Sequence, residues 1–258
     1  MKLLIIVLCL LSERYLIHKI SYSRFSWFAH YCKRCLSYGT NSMLFNKSIM
    51  QLLLVILPLI IFVSMLLYLC HTIVFGLLFF LLQLLLVYYC IGPVNPFYPL
   101  SGALADDEYN ADEIDAVNYF VAVNQQLIAV IFWYITVGPI FMLLYRLCSL
   151  CQYSLVQEFG TENILAKNIT AILNWIPVRI TAMLYLLVGN FQRGLQYFMQ
   201  MFFRTYKQNN QFLSNIGLLA ARVDDNAVVS LTVAQHLIEQ SVIVYVILLA
   251  FFTIIACV

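Results

Sequence analysis

The run from Ile49 to Leu69 constrains this chain more than any other feature, because its 21 consecutive residues carry no charge. A helix needs about 20 apolar residues to cross the hydrocarbon layer of a membrane. A second uncharged run, Thr72 to Gly92, follows after only two residues. Of all residues, 63% are hydrophobic and 10% are charged, whereas soluble domains have about 25% charged residues. The sequence therefore predicts an all-α, polytopic membrane protein.

Further apolar runs predict a single membrane domain over residues 1–258, with a bundle of about four or five spans. Leu127 to Leu147 fits as one span if its Gly138-Pro139 step forms a kink, since neighbouring helices can satisfy the carbonyls that proline frees. Ser241 to Val258 is a shorter apolar tail. Met1 to Leu11 resembles the hydrophobic part of a signal peptide, but no typical cleavage site follows. We expect it to form an uncleaved, short membrane helix.

The polar regions between these runs predict helices at the membrane surface. Ser12 to Ser48 is basic and aromatic, which fits an interfacial helix at the cytoplasmic face or a plain juxtamembrane connector. The region from 150 to 240 mixes arginines with aromatic residues, so interfacial helices that cap the bundle are expected there, on the cytoplasmic side. The loop from Ala105 to Ala116 carries six carboxylates without an EF-hand pattern. A solvated helix N-terminus is the favoured interpretation.

Two pairs of cysteines have C-x-x-C spacing, Cys32 with Cys35 and Cys148 with Cys151. Two such pairs can build a zinc site if they meet in space. The favoured interpretation is that these thiols pack as small hydrophobic groups, so no metal is expected. Phosphate-binding, zinc-protease and hydrolase motifs are all missing, and the net charge of +2 is not concentrated in a basic patch. Nucleic acid is therefore not an expected partner.

The segment LNWIPVRITA places polar residues inside an apolar run. Arginine at a bilayer centre costs roughly 2.5–3.5 kcal/mol on insertion scales. In the favoured interpretation, Asn174 caps a helix, Pro177 lies in its first turn and Arg179 snorkels to the interface. In the alternative, Arg179 holds an anionic headgroup and Asn174 orients a carbonyl group. Glu13 and Arg14 would then line the same pocket.

Two segments resemble the AmpE family of bacterial inner-membrane proteins. They are LNWIPVRITAMLYLLVGNF, from Leu173 to Phe191, and NQQLIAVIFWYITVGPIFMLLYRL, from Asn124 to Leu147. LSERYL near the start and NAVVSLTVAQHL, from Asn226 to Leu237, match in position. The resemblance implies a multi-pass regulatory protein of the inner membrane, linked to β-lactamase induction and cell-wall stress. The implied partners are the lipid bilayer and a cell-wall-derived ligand or a regulatory protein, with no cofactor.

The site residues expected from these arguments fall into two sets. The candidate ligand-binding residues are Glu13, Arg14, Asn124, Asn174 and Arg179. The residues expected to form the structural motif of the family are Trp133, Gly138, Pro139, Arg146, Trp175 and Pro177. No catalytic residue is assigned.

The same motif is distantly similar to the adenosylcobinamide-phosphate synthases, named CobD or CbiB. The matching positions are Asn174, Ile176, Pro177, Arg179, Thr181 and Ala182. Acidic residues that those enzymes carry are replaced here by Thr170 and Ala171, and by Val123 before Asn124, while a third segment reads CSLC. An amide-forming enzyme would need such acids for metal or proton handling. The alternative function is therefore a membrane enzyme of this type that acts on a different phosphorylated or amphipathic substrate.

Overall fold

The computed structural model describes residues 2–15, 25–39, 48–71, 76–92, 109–159, 164–222 and 229–257. All regular elements in these ranges are helical, which confirms the predicted all-α class. The helices are α1 (Lys2–Tyr15), α2 (Ser26–Gly39), α3 (Ser48–His71), α4 (Leu77–Cys90), α5 (Tyr109–Val123), α6 (Ala129–Thr136), α7 (Pro139–Phe159), α8 (Ile164–Leu173), α9 (Trp175–Val188), α10 (Phe191–Met201), α11 (Asn209–Ala221) and α12 (Leu231–Cys257). A π-helical turn, Asn124–Ile128, joins α5 to α6, and a 3-10 turn, Tyr206–Gln208, precedes α11.

Within the described ranges, three helices are long and apolar enough to cross a membrane, judged by length and composition. They comprise Ile49–Cys70, Asp115–Thr136 and Leu231–Ile255. Helices α8 and α9 meet the same criteria only as a pair interrupted at Asn174, which brings the possible number of spans to four. These helices agree with the predicted polytopic architecture.

The Gly138-Pro139 step separates two helices, so the predicted span from Leu127 to Leu147 is not one kinked helix. Helix α6 ends at Thr136, and Gly138 adopts a φ of 124°, a conformation that favours glycine. Pro139 then opens α7, where its missing N–H leaves no helical hydrogen bond unmade. The candidate span accordingly begins earlier in the chain, at Asp115, and stops before the glycine.

Two other apolar runs form helices of a different length from the predicted spans. In the run from Thr72 to Gly92, the described helix covers only Leu77–Cys90, after Gly76 with a φ of 80°. That helix is too short to meet the length criterion for a span. The C-terminal tail predicted from Ser241 is instead the second half of a longer helix that begins at Leu231.

The charged regions of the sequence are described only in part. Helix α2 lies in the basic segment Ser12–Ser48, but both its flanks fall outside the described residues. In the acidic loop, residues 105–108 also fall outside, and α5 begins at Tyr109. The interfacial role of the first region and the solvated role of the second stay predictions.

One of two compact units comprises residues 1–20, 94–129 and 174–258. Its core brings α5, α9 and α11 close together. The rings of Phe120 and Tyr185 lie 5.2 Å apart between centroids, and both side chains are fully buried. A Cβ atom at Gly217 would lie 2.7 Å from the Phe120 ring, so the absence of a side chain there permits this close packing. This unit positions the candidate site described below.

The other compact unit comprises residues 21–93 and 130–173. Its core contains one buried polar pair, in which the Tyr134 hydroxyl donates to Gln83 Oε1 at 2.9 Å. Along α3, large apolar side chains such as Phe62, Met65 and Tyr68 are exposed, which fits a helix that faces lipid. Whether the whole chain acts as one membrane domain stays a prediction.

Candidate functional site

Arg179 in α9 is anchored by four hydrogen bonds to its surroundings. Its Nε donates to the Phe202 carbonyl at 3.2 Å, and its Nη2 donates to the Arg204 carbonyl at 3.1 Å. Its Nη1 donates to the Trp175 carbonyl at 3.1 Å and to Asn209 Oδ1. The two carbonyls at 202 and 204 lie just beyond the C-terminus of α10, where unpaired carbonyls favour a cationic donor. The guanidinium therefore ties the turn after α10 and the start of α11 to α9.

The Arg179 guanidinium also lies between two aromatic rings. Its central carbon is 4.5 Å from the Trp175 ring centroid and 5.0 Å from that of Phe212. Such planar stacking suits arginine and is denied to lysine. Only 5% of the Arg179 surface is exposed, so its side chain does not snorkel outward as the favoured sequence interpretation expected. The burial arises because partners 23 to 30 residues away in sequence surround the group.

A cavity of about 290 Å³ borders the guanidinium of Arg179. It is lined by polar and aromatic side chains from α9, α10, the following turns and α11. These residues are Arg179, Tyr197, Met201, Arg204, Thr205, Gln208, Gln211, Phe212 and Asn215. Two hydrogen bonds organise the rim: Arg204 Nη1 donates to Gln208 Oε1 at 3.1 Å, and Asn215 Nδ2 donates to the Tyr197 hydroxyl at 2.8 Å. The cavity is thus lined by two cations and several hydrogen-bonding groups.

Asn174 lies at the N-cap position of α9, where the sequence placed it, but its side chain makes no capping hydrogen bond. Its backbone carbonyl accepts from the Val178 N–H at 3.0 Å, so the first turn of α9 closes through the main chain. Pro177 occupies the first turn, as predicted, where no intrahelical N–H is required. The capping role inferred for the Asn174 side chain is therefore wrong, although its position is right.

Asn124 opens the π-helical turn and faces α9 rather than the cavity. Its Oδ1 accepts from the Thr181 hydroxyl at 2.7 Å, and that hydroxyl also lies 2.9 Å from the Pro177 carbonyl. Asn124 Nδ2 is buried without a hydrogen-bond partner among the described residues. The hydroxyl carries a single hydrogen, which these two acceptors share. The contact therefore joins two helices of one core.

Glu13 and Arg14 lie on α1, and neither lines the cavity beside Arg179. The Glu13 side chain is buried, at 3% exposure. Arg14 forms an ion pair with Glu239 of α12, with Nη2 and Oε1 3.2 Å apart. Of the five candidate ligand-binding residues, the cavity is lined by Arg179 alone. In the alternative interpretation, Glu13, Arg14, Asn174 and Arg179 line one pocket. The cavity beside Arg179 is not lined by the other three residues.

Four of the six expected motif residues, at 133, 138, 139 and 146, belong to the second compact unit. The Trp133 ring packs against Phe141, with centroids 4.6 Å apart across the Gly138-Pro139 turn. The buried Arg146 places its guanidinium carbon 4.7 Å from the Phe25 ring centroid. These contacts are structural. The other two, Trp175 and Pro177, lie in the first turn of α9, where Trp175 contacts Arg179.

The two C-x-x-C pairs meet inside the second unit. The thiol of Cys151 in α7 donates a hydrogen bond to Cys32 in α2, and Tyr31 forms a hydrogen bond with Cys35. Cys32, Cys148 and Cys151 are buried. In the part of the chain that the structure describes, no group of three or more cysteine, histidine or acidic side chains has an arrangement suited to a metal ion.

Several residues that line the cavity or hold Arg179 escaped the sequence reasoning. Asn209 does not line the cavity but accepts a hydrogen bond from Arg179, and it is 30 residues away in sequence, so no local pattern links the two. The segment FRTYKQNNQF, from 203 to 212, carries an available signal, because arginine, threonine and four amides cluster within one short stretch. Such density is unusual in a chain that is 63% hydrophobic. It points to a hydrogen-bonding surface.

One known protein family matches more than half of the chain. The sequence profile described as "Regulatory signalling modulator protein AmpE" matches residues 102–258, which is more than half of the chain. This range includes α5 to α12, and therefore both the arginine of α9 and the cavity it borders. No curated protein and no solved structure matches the chain. The chain belongs to the AmpE family of regulatory signalling modulator proteins.

Proposed function

We propose that this protein modulates the induction of a β-lactamase in response to cell-wall stress. The observation that carries the proposal is the family match over residues 102–258, which includes the segment around Asn174 and Arg179. The apolar helices support a location in a bilayer, because side chains such as Phe62 and Phe252 would be costly to expose to water. We place the protein in the bacterial inner membrane as a multi-pass component.

The partner in this role is a cell-wall-derived ligand or a regulatory protein. A ligand is supported by the cavity beside Arg179, which offers a limited volume and many hydrogen-bonding groups. A modulator must respond to something that changes with the state of the cell wall. A small molecule that enters such a cavity would supply this link without any catalytic step.

The proposal is tested by deleting the chromosomal gene in a host with an inducible β-lactamase. We expect induction by a sub-inhibitory β-lactam to change in amplitude or threshold, and a plasmid copy of the gene to restore it. A strain that expresses the same enzyme from a constitutive promoter serves as the control and should be unaffected. Induction that is identical with and without the gene would overturn the proposal.

Reporter fusions test the membrane arrangement. Fusions after Asn110 and after Gln208, made with one reporter active in the cytoplasm and one active in the periplasm, locate the two segments. We expect the region around Gln208 in the cytoplasm, because Leu150–Gln240 carries more basic than acidic residues. Periplasmic activity at Gln208 would contradict this orientation and would place any ligand outside the cell.

A further inference from the structure

Two guanidinium groups line the same cavity, and none of the described residues that line it carries a carboxylate. Arg179 and Arg204 both border the cavity of about 290 Å³. Among the described residues, neither arginine takes part in an ion pair. Arginine has five N–H donors, of which the contacts described above occupy four in Arg179, so one N–H is available. A buried cation that pairs with no carboxylate of the described residues favours an anion at this place.

The rest of the lining suits a ligand with hydroxyl or amide groups. Side chains of Thr205, Gln208, Gln211 and Asn215 border the cavity and are exposed. An amide side chain both donates and accepts hydrogen bonds, and the hydroxyl of threonine does the same. The volume of about 290 Å³ lies just below the range of about 300–1,000 Å³ for small-molecule sites. A small polar solute therefore fits better than a long apolar one.

The exposed surface of α10 has an apolar side and a polar side. An apolar ridge runs along the helix with a spacing of four residues, formed by Phe191, Leu195 and Met199, all exposed. Tyr197 lines the cavity. It follows Leu195 by two residues, which is about 200° around the helix, so it lies on the side opposite the ridge. Exposed glutamines separate the ridge from that side, at 192, 196 and 200. The ridge suits lipid, so the cavity lies on the flank that faces water.

We propose that this cavity binds a small, water-soluble anion that also carries hydroxyl or amide groups. Its phosphate or carboxylate group lies between the guanidinium groups of Arg179 and Arg204, where charge-assisted hydrogen bonds are strongest. The amides at 208, 211 and 215 bind the remaining polar groups. A regulatory meaning of this binding rests on the proposed function, whereas the binding itself does not.

The test uses the full chain in lipid nanodiscs and calorimetric titration with three probes. The probes are inorganic phosphate, a hexose phosphate and the corresponding neutral hexose. We expect the hexose phosphate to bind more tightly than inorganic phosphate, and the neutral hexose at least about tenfold more weakly than the hexose phosphate, since it lacks the charged group. Equal affinity for the neutral hexose, or no binding of any probe, would overturn the proposal.

A matched pair of variants locates the site. Arg204→Gln removes a charge from the cavity rim, and Lys207→Gln removes the same charge from an exposed neighbour that does not line the cavity. We expect Arg204→Gln to weaken hexose phosphate binding by about tenfold or more and Lys207→Gln to change it by less than about twofold. Equal losses in both would show a general charge effect and would contradict the assignment. Thermal unfolding of both variants checks that they fold.

Nanodisc composition distinguishes a solute from a lipid headgroup. The titration is repeated in discs of zwitterionic lipid alone and in discs that also contain an anionic phospholipid, at the same ionic strength. Similar affinity in both supports a water-soluble ligand. Loss of binding only in the anionic discs would show that a lipid headgroup fills the cavity, and would overturn the proposed source. Failure of all binding leaves the β-lactamase induction experiment as a separate test of function.

Discussion

Thr181 and Asn124 are joined by a hydrogen bond of 2.7 Å between buried side chains that are 57 residues apart in sequence. Helix α9 and the π-helical turn after α5 are thereby coupled through one polar contact in an apolar core. A π-helical turn widens the helix locally and is common where a side chain must be re-aimed. Here the turn begins at Asn124, whose side-chain amide contacts the Thr181 hydroxyl.

Replacing Thr181 with valine should lower the free energy of unfolding by about 1–3 kcal/mol, because a buried polar group of Asn124 loses its partner. Thr181→Ser retains the hydroxyl and should lose less. Thr136→Val is the control, since Thr136 is exposed and bonds only to the Phe132 carbonyl of its own helix. Denaturant unfolding in detergent micelles measures all three variants. Equal stability of Thr181→Val and the wild type would refute the coupling.

Lysine in place of Arg179 should lower the free energy of unfolding by roughly 2–4 kcal/mol, because an ammonium group cannot reproduce the four hydrogen bonds or the ring stacking. Arg204→Lys should stay within about 0.5 kcal/mol, since that side chain is exposed and its carbonyl, not its guanidinium, binds Arg179. The same unfolding measurement compares the two. A small effect at Arg179 would mean that the turn after α10 is held by other contacts.

Gly189 should not tolerate alanine. A Cβ atom there would lie 2.4 Å from the Ala220 carbonyl oxygen, and the backbone of α11 cannot move aside without disturbing its helix. Gly194→Ala is the comparison, because the atoms that its Cβ would meet all belong to the rotatable side chain of Leu186. We expect a loss of about 1–3 kcal/mol for Gly189→Ala and a smaller loss for Gly194→Ala. A reversed order, measured by thermal unfolding, would contradict the close approach of α9 and α11.

Cys32 and Cys151 should form a disulfide under mild oxidation. The hydrogen bond from Cys151 lowers the pKa of the Cys32 thiol, and because both thiols are buried, a small oxidant that enters the unit is needed to join them. Treatment with diamide, followed by peptide mass spectrometry, should identify the linked pair. Cys32→Ser should abolish the product and Cys35→Ser should leave it. A product that joins Cys35 to Cys148 instead would show a different alignment of α2 and α7.

Part of the fold follows from local sequence patterns. The uncharged run from Ile49 onwards predicts a membrane-length helix, because length, hydrophobicity and the lack of charge are all read directly from contiguous residues. The Asn174–Pro177 pattern predicts the start of α9 for an equally local reason, since proline fits the first turn of a helix. The Gly138-Pro139 step predicts a kink, and this prediction is wrong because the positive φ of Gly138, which ends one helix before the next begins, cannot be inferred from the residue types alone.

Contiguous residues are enough to predict an all-α membrane protein and a resemblance to the AmpE family around Asn174 and Arg179, because hydrophobicity, length and motif are local properties. The contacts of Arg179, in contrast, depend on the folded chain. Its partners at Phe202, Arg204 and Asn209 are 23 to 30 residues away, and nothing in the spacing of apolar residues encodes that contact. The turn after α10 brings them to the guanidinium and leaves one polar cavity beside it, which a linear pattern cannot specify.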